Sequence, residues 1–166
     1  MRCCRFDEAV AARPSAREHL EAQIDHLGKL SAEAQELRRP ITSAALLAAP
    51  KSRDERHDLY VLTDDNATIL GYIKVGRKHL YYTKAEGGFI ELDPVCLLDF
   101  YVLHQRQGHG IRLFQHMLDA QHSTAQEIAY DRPSLKLYPF LAKHYGLTSY
   151  VPQANHFVVF DEFFSS

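Results

Sequence analysis

The chain has 166 residues, 46% hydrophobic and 24% charged, with 19 Lys plus Arg against 21 Asp plus Glu for a formal charge of −2. That is one domain, long enough to bury a core without a metal or disulfide staple, and too evenly charged for a protein built to neutralise nucleic-acid backbone. Cys3, Cys4 and Cys96 include one adjacent pair and no Cys-x-x-Cys, which excludes a disulfide framework and a cysteine-seeded zinc site.

Residues 1–16 mix Arg, Ala, Pro and Ser without a period, and read as a flexible or irregular lead-in or one short strand. They contain no signal-peptide core, and no window reaches the length of a membrane span, so a reducing intracellular compartment is expected. From Arg17 to Leu37 apolar residues recur in steps of three and four, the face of a helix weakened by Gly28 and ended by Arg38-Arg39-Pro40. Ser43–Ala49 is a second, short helix, followed by a polar turn over 50–58. Leu59–Leu62 and Ile69–Val75 read as strands around an Asp64-Asp65-Asn66 turn. Lys78–Thr83 continues or pairs with the second of these, and Phe89 opens another strand, so three hairpin-linked strands are expected.

Val95–Leu103 is the most apolar stretch, a central strand buried on both faces. On a regular strand Asp99 faces away from Cys96, to orient backbone or to pair with a base such as Arg132. A polar loop, Gln105–Gly110, leads into a helix marked by Ile111, Leu113, Phe114, Met117 and Leu118. Gln126–Tyr130 is a short strand, Asp131–Ser134 a turn, and Leu135–Tyr145 a helix closed by Gly146. Tyr150-Val151 and Phe157–Phe160 form a last hairpin. The order implies one α/β or α+β domain with a mixed sheet, spanning 1–166.

In the loop, closely spaced glycines at a helix N-terminus let backbone N–H groups approach an anion such as pyrophosphate; without a ligand they make a tight strand-to-helix connection. The P-loop and dinucleotide patterns both fail. Gln105-x-x-Gly108-x-Gly110 instead resembles the acetyl-coenzyme A pyrophosphate loop of the GCN5-related N-acetyltransferase superfamily. Longer segments are similar to the alpha-tubulin N-acetyltransferase family. They are GKLSAEAQ, PITSA, GYIKVGRKHLY, LDFYV with QRQGHG, AYDRPSLKLYPFLAKHYGL and VPQANHFVVFDEFF.

The resemblance implies a GCN5-related fold whose mixed, mainly antiparallel sheet splays at the central strand. It implies transfer of acetyl from acetyl-CoA, a co-substrate, to the ε-amine of a lysine in the lumenal loop of alpha-tubulin. Cys96 and Asp131 match the family's catalytic pair, and Gln35 matches a Gln on the acceptor side. Gln105, Arg106, Gln107, Gly108, His109, Gly110 and Ile111 would form the pyrophosphate loop, with Ser134 and Lys136. The backbone of Leu98, Asp99, Phe100, Tyr101 and Val102 would follow the pantetheine arm. Lys143 shares a helix face with Lys136 and reads either as phosphate attraction or as a solvated residue. Three departures stand out: a connection between Tyr101 and Gln105 about two residues shorter, Ile111 where Arg is common (Arg112 is placed to compensate), and Tyr130 in place of a smaller residue beside the acceptor.

A lysine amine must lose its proton before attack, which at pH 7 costs roughly 4–5 kcal/mol from its ordinary pKa. Asp131 is the candidate base, with capping or pairing to Arg132 as its structural alternative; Cys96 is a base, a relay or a buried hydrophobe. Direct attack in a ternary complex is expected rather than an acetyl-cysteine intermediate. A tyrosine is expected to assist the leaving thiolate, without indication of which. The histidines at 104, 109, 116 and 122 build no metal face and are expected at the surface or in loops; no metal is expected. Arg53, Arg56 and His57 are candidates for a basic rim facing acidic tubulin. The expected setting is the cytoplasm and the microtubule cytoskeleton, including cilium or flagellum. The expected partner is alpha-tubulin, for a monomer without nucleic acid or membrane partners. The alternatives are an acetyltransferase for another protein lysine or a small amine, and a non-catalytic module that senses CoA or binds microtubules.

Overall fold

A computed structural model describes residues 1–49 and 56–165. The lead-in holds a strand, β1 (Arg2–Arg5), and a helix, α1 (Phe6–Ala12). Then come α2 (Arg17–Ala34), α3 (Ala44–Ala48), β2 (His57–Thr63), β3 (Ile69–Arg77), β4 (Leu80–Thr83), β5 (Phe89–Leu92) and β6 (Val95–Val102). The chain closes with α4 (His109–Gln121), β7 (Ile128–Asp131), α5 (Leu137–Tyr145) and β8 (Phe157–Val158). Six strands form one sheet in the order β1-β2-β3-β6-β7-β8, antiparallel except for β6 with β7.

The expectation of three hairpin-linked strands needs correction. β4 neither continues β3 nor pairs with it; β4 and β5 form a separate two-stranded hairpin inserted between β3 and β6, which pair with each other. Local turn chemistry at Lys84–Gly88 reveals the hairpin, but long-range pairing decides its partner.

The sheet separates two cores. Leu97, Leu113, Phe114, Met117 and Leu141 join the first, under α4 and α5. Leu20, Ile24, Leu27, Val61 and Tyr72 join the second, under α1 and α2. A third cluster places Leu80 and Tyr82 of the hairpin over Cys96, Leu98 and Ala129.

α2 ends earlier than its hydrophobic period suggests. Glu36 takes the left-handed conformation at φ 58, and the Leu37 N–H donates to the Ala32 carbonyl at 2.8 Å while the Glu36 N–H donates to that of Glu33 at 3.1 Å. These are the two bonds of a Schellman cap, made here without glycine, and they end the helix at Ala34 with Gln35 as its C-cap. Gly28 is a packing requirement rather than a weak point: a Cβ there would lie 2.0 Å from the Thr42 carbonyl oxygen. The final helix starts at Leu137, leaving Leu135 exposed in the preceding turn. Tyr150 meets Phe160 in a single bridge, so the last hairpin is shorter than expected. Among the described residues no helix is long and apolar enough to cross a membrane.

Candidate active site

β6 is paired with β3 along its length but with β7 only over Val95–Leu97, opposite Ile128–Tyr130. Beyond Leu97 its backbone has no strand on the β7 side, so the parallel pair opens toward the Gln105–Gly110 loop. A bulge sits at the same place: Lys74 pairs with Asp99 and Val75 with Leu97, which leaves Leu98 as the extra residue. The bulge overturns one expectation. Leu98 and Asp99 both point away from the α4 face, so Asp99 shares the face of Cys96 instead of opposing it. Asp99 does not pair with Arg132 either. It is buried and accepts from Ser31, Gln35, Thr42, Tyr72 and the Phe100 N–H.

Cys96 lies opposite Ala129, and Asp131 is two residues farther along β7, so alternation puts the thiol and the carboxylate on one face. Cys96 has no solvent contact, and its Sγ is 3.6 Å from the Pro94 carbonyl. Burial first, then the Asp131 charge, pushes the thiol up to about 12, against the lowering effects of Lys78 and Arg77. Burial also raises Asp131, opposed by the positive charges of Arg132, Lys78 and Lys74. The half-buried Gln35 donates through Nε2 to Ser31 Oγ at 2.9 Å and to Asp99 Oδ1 at 3.1 Å. All three candidate residues therefore face the α2 and β4–β5 side of the sheet.

The loop residues fit a pantetheine–pyrophosphate group. Gly108 caps α4 at φ 74 with nothing within 4 Å of where a Cβ would sit, and the first N–H groups of the helix have no intrahelical partner. Arg106 takes the left-handed conformation at φ 62 in this exposed loop. His109 corrects the expectation of surface histidines: it is buried, and its Nδ1 has no hydrogen-bond partner. Sequence spacing gave no sign of that burial, because α4 starts two residues before its first apolar marker. Gln105 Nε2 donates to the Val102 carbonyl, and Gln107 and Ile111 line the rest of the turn into α4. Arg112, next to Ile111, donates through its guanidinium to the Met1 carbonyl at 2.7 Å.

Ser134 and Lys136 are exposed at the entrance to α5. Lys143 sits in the last turn of that helix, where a cation is favoured by the helix dipole without any ligand. Tyr130 does not reshape an acceptor pocket; it is fully buried in the α4–α5 core, with its hydroxyl on the Ala125 carbonyl. Tyr60, Tyr72 and Tyr145 also have committed hydroxyls. Tyr138 and Tyr150 stack on each other and line a cavity of about 450 Å³ with Arg132, Gln153 and His156. The periodic pattern did not reveal this cavity. Arg56 is exposed and His57 half-buried against Gly76; Arg53 lies outside the described residues. Among the described residues no group of His, Cys, Asp and Glu is placed to hold a metal ion.

Comparison with known proteins agrees with this geometry. The family model described as "GNAT acetyltransferase, Mec-17" matches residues 4–166. An alpha-tubulin N-acetyltransferase of Phytophthora infestans is 43% identical over 98% of this chain and 98% of its own length. Relatives of that name from Danio rerio and Leishmania major are 45% and 44% identical over 93% and 99% of this chain, but the matches span 52% and 66% of those proteins. A solved Bacillus halodurans structure, 15% identical, shares the fold with a TM-score of 0.56 over 92% of this chain and 97% of its own. The opened β6–β7 pair, the glycine loop at α4 and the extent of these matches lead to one conclusion: the chain belongs to the Mec-17 family of GNAT acetyltransferases, within the alpha-tubulin N-acetyltransferases.

Proposed function

We propose that the chain moves acetyl from acetyl-CoA to the ε-amine of a lysine in the lumenal loop of alpha-tubulin, by direct attack within a ternary complex. The single observation that carries this reading is the shared face of Asp131 and Cys96 beside the open edge of β6. Acetyl-CoA supplies the activated thioester. The α4 N-terminus and the loop Gln105–Ile111 hold its pyrophosphate, with Ser134 and Lys136 from the turn before α5. The β6 backbone from Leu98 to Val102 lines the arm.

Asp131 takes the proton of the acceptor ammonium. Its raised pKa makes it a stronger base than an exposed carboxylate, while Arg132, Lys78 and Lys74 oppose that rise. Cys96 is a neutral thiol at that pH, unsuited to nucleophilic attack, and serves to pack and orient the face. The acceptor meets Gln35 at the end of α2. The enzyme works as a monomer on microtubules of the cytoskeleton, in axonemes among them.

An acetylation assay with polymerised tubulin, free tubulin, histone and a polyamine tests the reading. Polymerised tubulin is expected to be modified fastest, at one lysine. Equal rates on histone or polyamine would overturn the substrate assignment. Acetyl-Cys96 trapped without acceptor, at a rate matching turnover, would overturn direct transfer.

A further inference from the structure

Five donors converge on the buried carboxylate of Asp99, from four separate parts of the chain. Ser31 Oγ at 2.8 Å, Gln35 Nε2 at 3.1 Å and the Phe100 N–H at 3.0 Å reach Oδ1. Thr42 Oγ1 at 2.7 Å and the Tyr72 hydroxyl at 2.5 Å reach Oδ2. An ionised carboxylate only accepts, so every one of these groups is turned with its proton inward. For a hydroxyl this fixes a rotor. For Gln35 it decides which end of the amide faces the protein.

The two Nε2 protons are both used. One goes to Asp99 Oδ1 and the other to Ser31, whose Oγ lies at 2.9 Å and whose carbonyl lies at 3.4 Å. Ser31 has already given its own proton to Asp99, so its Oγ can only accept from Gln35. Turning the amide over would set Oε1 against the carboxylate and the Ser31 carbonyl, acceptors against an acceptor. The network therefore has one consistent arrangement, with Gln35 Oε1 directed out of it. Among the described residues nothing donates to that oxygen.

We propose that Asp99 is a positioning residue for the acceptor: it locks the Gln35 amide with its carbonyl oxygen outward, where that oxygen accepts an N–H of the incoming primary amine. The proposal deepens the reading given above and rests on its placement of Gln35 at the acceptor side. It assigns Asp99 a role apart from its backbone, which the co-substrate arm follows. A carbonyl oxygen accepts from an ammonium as well as from the neutral amine, so it can hold the lysine before and after Asp131 takes the proton. Reversing the amide would present two donors to an ammonium and repel it.

A double-mutant cycle tests this. Asp99→Asn supplies a donor where only acceptors stood, freeing the Gln35 amide to turn; Gln35→Ala removes the amide. Each is expected to lower kcat/KM for polymerised tubulin at least tenfold, with the acetyl-CoA dissociation constant unchanged within about twofold. The double variant is expected to be no worse than the poorer single one, because Asp99 acts through Gln35. Additive losses, or acetyl-CoA binding that weakens in step with kcat/KM, would mean that Asp99 serves only the fold and would overturn the proposal. Full activity in Gln35→Ala would overturn it as well.

If Asp99→Asn does not fold, as judged by thermal denaturation, Ser31→Ala carries the same cycle. It keeps the carboxylate, removes one anchor of the amide, and is expected to cost threefold or more, non-additively with Gln35→Ala. The unmodified enzyme in the same assay reports on the acetyltransferase assignment separately, since loss of coupling with intact activity touches only the role of Asp99.

Discussion

Burial raises the pKa of both Cys96 and Asp131, yet it moves them in opposite senses relative to the pH of the reaction. The thiol starts above neutrality and is driven farther from it, while the carboxylate starts below and is brought closer. That asymmetry divides the pair, and residue identity alone does not supply it. Asp131→Asn is expected to lower kcat by about 10²–10⁴-fold, the usual contribution of a positioned base, with acetyl-CoA binding retained. The same change should stabilise the fold at neutral pH. The folded-state pKa lies above the unfolded value, so the native protein holds the proton more tightly, and stability falls as pH rises through the interval between the two. Beyond that interval the ionised carboxylate is a standing cost that Asn removes. A higher midpoint of thermal unfolding at pH 7, combined with lost turnover, checks the prediction; a lower midpoint would contradict it.

Among the elements, α2 shows how local chemistry delivers a functional side chain. Its apolar period continues to Leu37, but the Schellman bonds at Glu36 and Leu37 stop it at Ala34 and swing Gln35 toward Asp99. Glycine is the usual residue at such a position, and its absence hid the helix end from the sequence pattern. Glu36→Gly is expected to stabilise the protein by about 1 kcal/mol in denaturant titration, by relieving the left-handed backbone. Gly28→Ala is expected to do the reverse. Its Cβ would collide with the Thr42 carbonyl, and the overpacking should cost about 1–3 kcal/mol and reduce tubulin acetylation by displacing Thr42 from Asp99. A second element link joins the two hairpins. The Gln153 side chain accepts from the Thr83 N–H at 2.8 Å and donates to the Thr83 carbonyl at 3.0 Å, a strand-like bridge made by an amide side chain.

Across the whole molecule, the sheet begins at an edge strand that the sequence left as one option among irregular alternatives. β1 pairs with β2 from Arg2–Thr63 to Arg5–Tyr60, and the Met1 carbonyl receives Arg112 from α4. Removing residues 1–5 should uncover the β2 edge. Lower thermal stability and increased light scattering are expected. Unchanged stability would show that β1 contributes little to the sheet.

The sequence by itself determined the elements built from short-range periodicity and turn chemistry: α2 and α4, the strands β2, β3 and β6, and the glycine loop between β6 and α4. It also carried the family resemblance through long contiguous segments, and with it the candidate roles of Asp131, Cys96 and Gln35. Only the tertiary structure decided that the β4–β5 hairpin stands apart, that β6 and β7 part after Leu97, and that Asp99 turns to the same face as Cys96. Each of these depends on pairing between residues distant in the chain. A single bulged residue at Leu98 reverses the face of the side chains that follow, while the local hydrophobic pattern of an all-buried strand looks the same with or without it.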